Sequence, residues 1–188
     1  NTDKLNDFRR EAIRLGITVE PPSVNRSDVV FEVDGKHILY ALAAVKGVGQ
    51  AAVEHIVEQR GDKPFRSISD FASRINPKAM NKRILEALTS AGAFDCLEPN
   101  RNRLFQGLDA VMAAATHRLE QQQSGQNELF GGGGEPEPVR LPSVSNWLPE
   151  EKLQREHTAI GFYLSSHPLD AYEALLGRLR VQTWAQFS

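Results

Sequence analysis

Leu42-Ala43-Ala44-Val45-Lys46-Gly47-Val48-Gly49-Gln50-Ala51-Ala52-Val53-Glu54-His55-Ile56 decides how this chain is read. Apolar residues recur at helical spacing on both sides of a Gly-Val-Gly turn, Leu42 and Val45 before it and Val53, Ile56 and Val57 after it. The pattern predicts two helices joined by a tight hairpin. Gly47 and Gly49 can take positive backbone dihedrals and leave no side chain in the way, while Val48 between them can plug inward. The first peptide N–H groups of the second helix have no intrahelical acceptor and carry the positive end of the helix dipole, which suits an anion. Lys46 adds a formal charge beside them. The combination fits close contact between Lys46, Gly47, Val48, Gly49 and Gln50 and a phosphate of a nucleic-acid backbone. An ordinary αα-hairpin satisfies the same pattern, because glycine turns between helices are common.

The charge distribution bears on that choice. The 188-residue chain carries 22 Lys and Arg against 24 Asp and Glu, a net charge of -2, which argues against a wholesale nucleic-acid binder. Residues 60–83 differ: Arg60, Lys63, Arg66, Arg74, Lys78, Lys82 and Arg83 face only Asp62 and Asp70, seven minus two or +5. A basic island after the hairpin supplies counter-charge where a duplex would lie, although a solvated helix face explains any single lysine equally well. The one cysteine, Cys96, excludes an internal disulfide and, near Phe94 and Leu97, is expected as a small core hydrophobe. No apolar run approaches membrane-spanning length and no signal-peptide pattern is present, so a soluble, cytoplasmic chain with no membrane partner is expected. Asn1-Thr2-Asp3 runs directly into a helical pattern without an initiating methionine, which reads as a piece of a longer protein.

Periodicity and punctuation predict the remaining elements. Leu5, Phe8, Ala12 and Ile13 recur at helical spacing, Gly16 is placed to stop that helix, and Pro21-Pro22 forces an extended connection. Val29, Phe31 and Val33 alternate before Asp34-Gly35 and Ile38 and Tyr40 resume beyond it, the pattern of a β-hairpin with a two-residue turn. A helix is expected over Ile68 to Arg74 with Phe71 and Ala72 on its buried face. Asn76-Pro77 reads as an N-cap and first helical proline, opening a helix with the apolar stripe Met80, Ile84, Ala87, Leu88 and Ala91 and with Gly92 at its end. Lys78, Lys82 and Arg83 lie off that stripe. A longer helix begins near Asn100, with Leu104, Phe105, Leu108, Val111, Met112, Ala115 and Leu119 as a core stripe.

After Leu119 the character changes. Glu120 to Gly125 is polar, and Gly131 to Gly134 with Glu135-Pro136-Glu137-Pro138 cannot form a packed element, so a linker is expected. Within it, Gln126-Asn127-Glu128-Leu129-Phe130 places two large apolar side chains where nothing local buries them. Order is expected to return near Trp147, and Pro149-Glu150-Glu151 starts a helix whose apolar side carries Leu153 and Ile160. His167 has no Ser-His-Asp or metal-ligand spacing around it and is expected in a turn or cap ahead of a helix opening at Pro168.

The pattern around Gly47 and Gly49 resembles the helix-hairpin-helix family of sequence-independent DNA binders. With the hairpin, the linker peptide and Gly161-Phe162-Tyr163-Leu164-Ser165-Ser166-His167-Pro168-Leu169 in that order, nearly all of the chain resembles the bacterial DNA polymerase III alpha-subunit family, the replicative C-family polymerases. Leu39 to Gly49 is similar to the family's first hairpin and Leu88-Thr89-Ser90-Ala91-Gly92-Ala93-Phe94-Asp95 to its second, degenerate one. The resemblance implies a mainly α fold. Its parts are the end of the fingers region over 1–28, a tandem helix-hairpin-helix DNA-binding domain with a small β-hairpin over 29–119, a flexible linker with a clamp-binding peptide over 120–138, and a short helical lead-in to a C-terminal OB region over 139–188. Strands enough for an OB barrel are not expected before Ser188.

The resemblance also implies partners. Duplex DNA would be held through Lys46, Gly47, Val48, Gly49, Gln50, Lys78, Lys82 and Arg83, a sliding clamp through Gln126, Leu129 and Phe130, and other replicase subunits by the full-length protein. Leu129 and Phe130 would each contribute about 1.5–3 kcal/mol on burial in a clamp groove before ordering costs. Polymerases of this family extend a primer by nucleotidyl transfer at palm carboxylates that hold divalent metal, Mg being expected. Asp34, Asp62, Asp70 and Asp95 instead sit at turn and cap positions, so no catalytic residue, metal ligand or cofactor is assigned to this segment, which alone is expected to be inactive. Two alternatives are a helix-hairpin-helix DNA repair enzyme such as a base-excision glycosylase, with Asp70 as its carboxylate, and a non-enzymatic adaptor joining DNA to a partner.

Overall fold

Apolar periodicity sets most of the helices, and their ends are closed by local chemistry. The computed structural model describes residues 2–124, 138–172, 175 and 178. Its order is α1 (Thr2–Arg14), β1 (Thr18–Glu20), β2 (Glu32–Asp34), β3 (His37–Leu39), a 3₁₀ turn (Leu42–Ala44), α2 (Gln50–Arg60), α3 (Ile68–Arg74), α4 (Lys82–Ala91), α5 (Arg101–Gln106), α6 (Leu108–Gln123), α7 (Pro149–Ile160) and a 3₁₀ turn (Asp170–Tyr172). The fold is mainly α with a small three-stranded sheet. Ser67, Asn81 and Asn100 cap α3, α4 and α5 by accepting from Asp70, Ile84 and Arg103 N–H groups. Left-handed Gly92 and Gly161 close α4 and α7.

Tertiary contacts move several boundaries. The helix expected before the Gly-Val-Gly turn is a single 3₁₀ turn, Leu42–Ala44, because Val45 is already extended (φ -71°, ψ 127°). The β-hairpin turns at Gly35-Lys36 rather than Asp34-Gly35, since Asp34 pairs with His37 and Gly35 carries the positive φ of 60°. β1 adds a third strand, parallel to β3 with Val19 opposite Ile38, whose pairing partner is too distant in sequence for local patterning to reveal. Asn76 caps a turn of its own, its Oδ1 accepting from Lys78 N–H at 2.9 Å, and α4 opens five residues later on Asn81. The long helix breaks at Gly107, where a Cβ would lie 2.5 Å from Leu141 Cδ2 because the 138–148 strap crosses there. Helix α6 runs on to Gln123, four residues past the expected change at Leu119. Cys96 is exposed, contrary to its expected core position: the loop after Phe94 turns it outward beside Ser23.

One apolar core runs through the chain. Leu42, Val53 and Ile56 meet Phe71, Leu85 and Leu88 from α3 and α4, Leu104 and Leu108 from α5 and α6, and Ile160 from α7, all buried. The strap is held by Asn100 and Asn102, whose amides donate to the Val144 and Ser145 carbonyls at 2.8 Å. His55 Nε2 on α2 accepts from the Asn76 N–H at 2.8 Å, tying that helix to the loop before α4.

Two charged side chains lie inside this core. Arg101 and Glu156, with side chains 3% and 1% exposed, pair at 3.4 Å. Arg101 also donates to Asp95 (2.7 Å) and to the Ser90 carbonyl (3.1 Å), while Glu156 Oε1 accepts from the Leu164 and Ser165 N–H groups at 2.9 and 2.8 Å. Burial opposes the Arg101 charge, but Asp95 and then Glu156 outweigh it, so its pKa is raised.

Removing one partner leaves the other charge buried and two amides without an acceptor. Glu156→Ala is expected to lower unfolding free energy by about 3–5 kcal/mol in urea titrations, and Glu156→Gln by less because an amide oxygen remains. The His55 pKa is lowered from its ordinary 6.5 by burial, with Glu58 pulling the other way. Its contribution to stability is therefore complete above about pH 6.5 and is lost as pH falls through that value toward the lower folded one. Between about pH 7.5 and pH 5 the wild type should lose more stability than His55→Gln in chemical denaturation.

Candidate nucleic-acid interface

The Lys46–Gln50 turn leaves the start of α2 open. Gly47 takes φ +79°, a conformation that costs a residue with a Cβ, and Val48 is 7% exposed beneath it. Gly49 differs from expectation: its φ is -77° and it serves as the N-cap of α2. No side chain caps this helix. The first bonded amides are those of Ala52 and Val53, which reach the Gly49 carbonyl at 3.1 and 3.3 Å. Among the described residues the amides of Gly49, Gln50 and Ala51 donate to no protein acceptor. A Cβ on Gly47 or Gly49 would meet nothing within 4 Å. Neither backbone conformation nor packing requires glycine at position 49, and the space a Cβ would occupy there is open. The Gln50 side chain is turned to Glu54, at 2.7 Å.

The expected cations separate into two groups. The Lys46 N–H donates to the Ala159 carbonyl at 2.8 Å, pinning the turn to the end of α7. Lys46, Gly47 and Arg83 line one open cleft of about 800 Å³ between α4 and α7. Lys82, one residue earlier on α4, faces α6 and pairs with Asp109 at 2.8 Å, which raises its pKa. Lys78 is exposed on the turn before α4. Within the rest of the basic island, Arg60 is bonded to the Val24 and Ser27 carbonyls, and Arg74 to the Gln59 and Arg60 carbonyls with its guanidinium 4.5 Å from the Phe65 ring centre. These two hold the fold together. Lys63, Arg66, Lys78 and Arg83 are exposed and form no ion pair among the described residues.

The turn after α4, expected as a second hairpin, is filled. Gly92 has φ +87°, and a Cβ there would overlap the Arg101 guanidinium, which occupies the space that Gly47 and Gly49 leave open. Arg101 and Glu156 escaped the sequence analysis, yet a signal existed. Arg101 stands three residues before Leu104, and Glu156 lies three after Leu153 and four before Ile160, so both are charges on apolar faces. His167 sits in a turn, its Nδ1 accepting from the Leu169 N–H at 3.2 Å. Asp70 accepts from the Arg66 N–H (2.9 Å) and pairs with Arg74, so it is committed to the start of α3. Among the described residues no three His, Cys, Asp or Glu side chains are grouped to hold a metal ion, and no helix is long and apolar enough to cross a membrane. Gln126, Leu129 and Phe130 lie outside the described residues.

Residues 16–104, which hold the sheet and the Gly-Val-Gly turn, match a family model described as a helix-hairpin-helix motif. The chain is 43% identical over 190 residues to the DNA polymerase III subunit alpha of Caulobacter vibrioides, covering 99% of this chain and 16% of that protein. The subunit of the same name from Neisseria meningitidis is 43% identical over 176 residues (92% of this chain, 15% of its own length), and that of Thermus aquaticus 39% over 176 residues (93% and 14%). The chain thus spans about one-sixth of the length of these relatives. With a helix-hairpin-helix fold in the middle and similarity running from end to end, the chain belongs to the DNA polymerase III alpha-subunit family, corresponding to a segment of it.

Proposed function

We propose that this segment holds duplex DNA, without sequence preference, for a bacterial replicative DNA polymerase and also attaches that polymerase to its sliding clamp. The observation that carries the DNA half is the uncapped start of α2, where three amides have no protein acceptor and the glycine turn beside Lys46 is open. Such a terminus binds an anion through backbone dipoles, which is independent of base sequence. Arg83 and Lys46 share the adjoining cleft and would take neighbouring phosphates. Lys78 lies nearby in sequence, and Lys82 would first have to release Asp109. The domain layout follows the resemblance: end of the fingers over 1–28, tandem hairpins over 29–119, tether over 120–138 and lead-in to the OB region over 139–188.

Nucleotidyl transfer and its Mg ions would belong to the rest of the parent polymerase, with this segment inactive by itself. Gln126, Leu129 and Phe130 would dock as an extended peptide in a groove of the clamp, and the match to the Caulobacter relative along 99% of this chain supports treating that stretch as part of the family pattern. A polymerase held only by salt-sensitive phosphate contacts dissociates often, whereas a second attachment to a ring around the duplex makes rebinding effectively intramolecular. Cytoplasmic location and contacts with other replicase subunits follow from the same reading.

In fluorescence-anisotropy titrations with a duplex, affinity should fall steeply with salt. Gly49→Val should weaken binding while costing no more than about 1 kcal/mol of stability, the penalty of a poorer N-cap at an open site of ordinary φ. Lys46→Glu should weaken it and flatten the salt slope by about one phosphate, more than Lys82→Glu does. Equal binding by all these variants at two salt concentrations would refute DNA holding by this hairpin. For the clamp half, alanine at both Leu129 and Phe130 should remove most of the affinity for purified clamp in calorimetry and leave DNA binding intact.

A further inference from the structure

The cleft beside the hairpin has a second wall that the function proposed above does not use. Helix α7 presents Arg155 into the same space as Lys46, Gly47 and Arg83. Two aromatic rings hold its guanidinium, 4.4 Å from the Trp147 ring centre and 4.8 Å from that of Phe105, and these rings meet each other edge-on at 5.5 Å. Glu151, one turn earlier, takes Nε and Nη2 at 2.9 Å. Nη1 is left with no protein acceptor among the described residues, and the side chain remains 35% exposed. A guanidinium fixed in this way loses little freedom on meeting an oxyanion, and its planar fork suits a phosphate.

We propose that α7 forms the second wall of the DNA interface and that Arg155 contacts a backbone phosphate next to the one seated on α2. This rests on the phosphate-binding role of the hairpin. The physical link is the Lys46 N–H bond to Ala159, which ties the hairpin to the last turn of α7 and sets the spacing of Lys46 and Arg155 across the cleft. Between them Ala87, Ser90 and Ala159 make a floor of small side chains, so a sugar-phosphate strand can sink between α4 and α7. The carboxylates facing the cleft are Glu86 and Glu151; Glu151 is engaged by Arg155, and Glu86 lies close enough to Lys82 to raise its pKa. Arg155 is thereby a positioning cation that selects the path of the strand.

The test is a salt series of duplex-binding titrations on the 188-residue chain, with thermal unfolding of every variant. Arg155→Met keeps the packing stem and loses the charge; it should weaken binding about three- to tenfold and reduce the slope of log K against log salt by about one. Arg155→Lys should keep the wild-type slope. Glu151→Gln, which removes the charge that competes for the guanidinium, should tighten binding by the wild type more than by Arg155→Met, a coupling that a purely structural stack would not produce. The proposal is overturned if Arg155→Met retains the wild-type slope and affinity while Lys46→Glu and Gly49→Val lose affinity. If those hairpin variants also bind like wild type, the hairpin reading itself fails.

Discussion

The buried contact between Arg101 and Glu156 joins the parts of the molecule that sequence keeps far apart. Arg101 opens α5 and fills the hollow over Gly92, where it also reaches Asp95 and the Ser90 carbonyl. Glu156 comes from the middle of α7 and receives the amides of Leu164 and Ser165. One ion pair thus fastens the α4–α5 corner, helix α7 and the loop that follows it. Burying two charges costs several kcal/mol of solvation each, and an apolar pair of the same shape would serve stability as well. What the charges add is direction: each oxygen and N–H has a particular partner, so α7 docks in one register.

That register reaches the hairpin through a single backbone bond. Once α7 is placed, the Ala159 carbonyl receives the Lys46 N–H, and the Gly47 turn is held against the end of the helix. The buried Val48 completes the hold from below. The open amides of α2 and the cations across the cleft are consequently positioned relative to one another by the docking of α7.

The turns at Gly47 and Gly92 differ in what fills them. At the first, glycines stand over empty space and the following helix has no cap. At the second, the protein's own guanidinium fills the space over Gly92 at the C-terminal end of α4, and carboxylates complete its shell. The cations of residues 60–83 divide similarly. Arg60 and Arg74 close the fold on carbonyls and Asp70, whereas Lys63, Arg66, Lys78 and Arg83 remain at the surface. A net charge of -2 conceals this division, because local potential rather than total charge determines where a polyanion approaches.

By itself the sequence determined the helical class, the short β-hairpin before the glycine turn, helix Ile68–Arg74 and the proline-led start of α7. Each is written in periodicity or in the chemistry of a cap, both of which act within a few residues. Tertiary structure decided the rest. It reduced the first hairpin helix to one 3₁₀ turn, cut the long helix at Gly107 under the crossing strap, paired β1 with β3 across sixteen intervening residues, and turned Cys96 outward. The site divided along the same line. The open turn at Gly47 to Gly49 beside Lys46 was legible because turn and helix-start geometry is local, while the diversion of Lys82 to Asp109 and the placing of Arg155 opposite Lys46 arise only when α6 and α7 pack against α4.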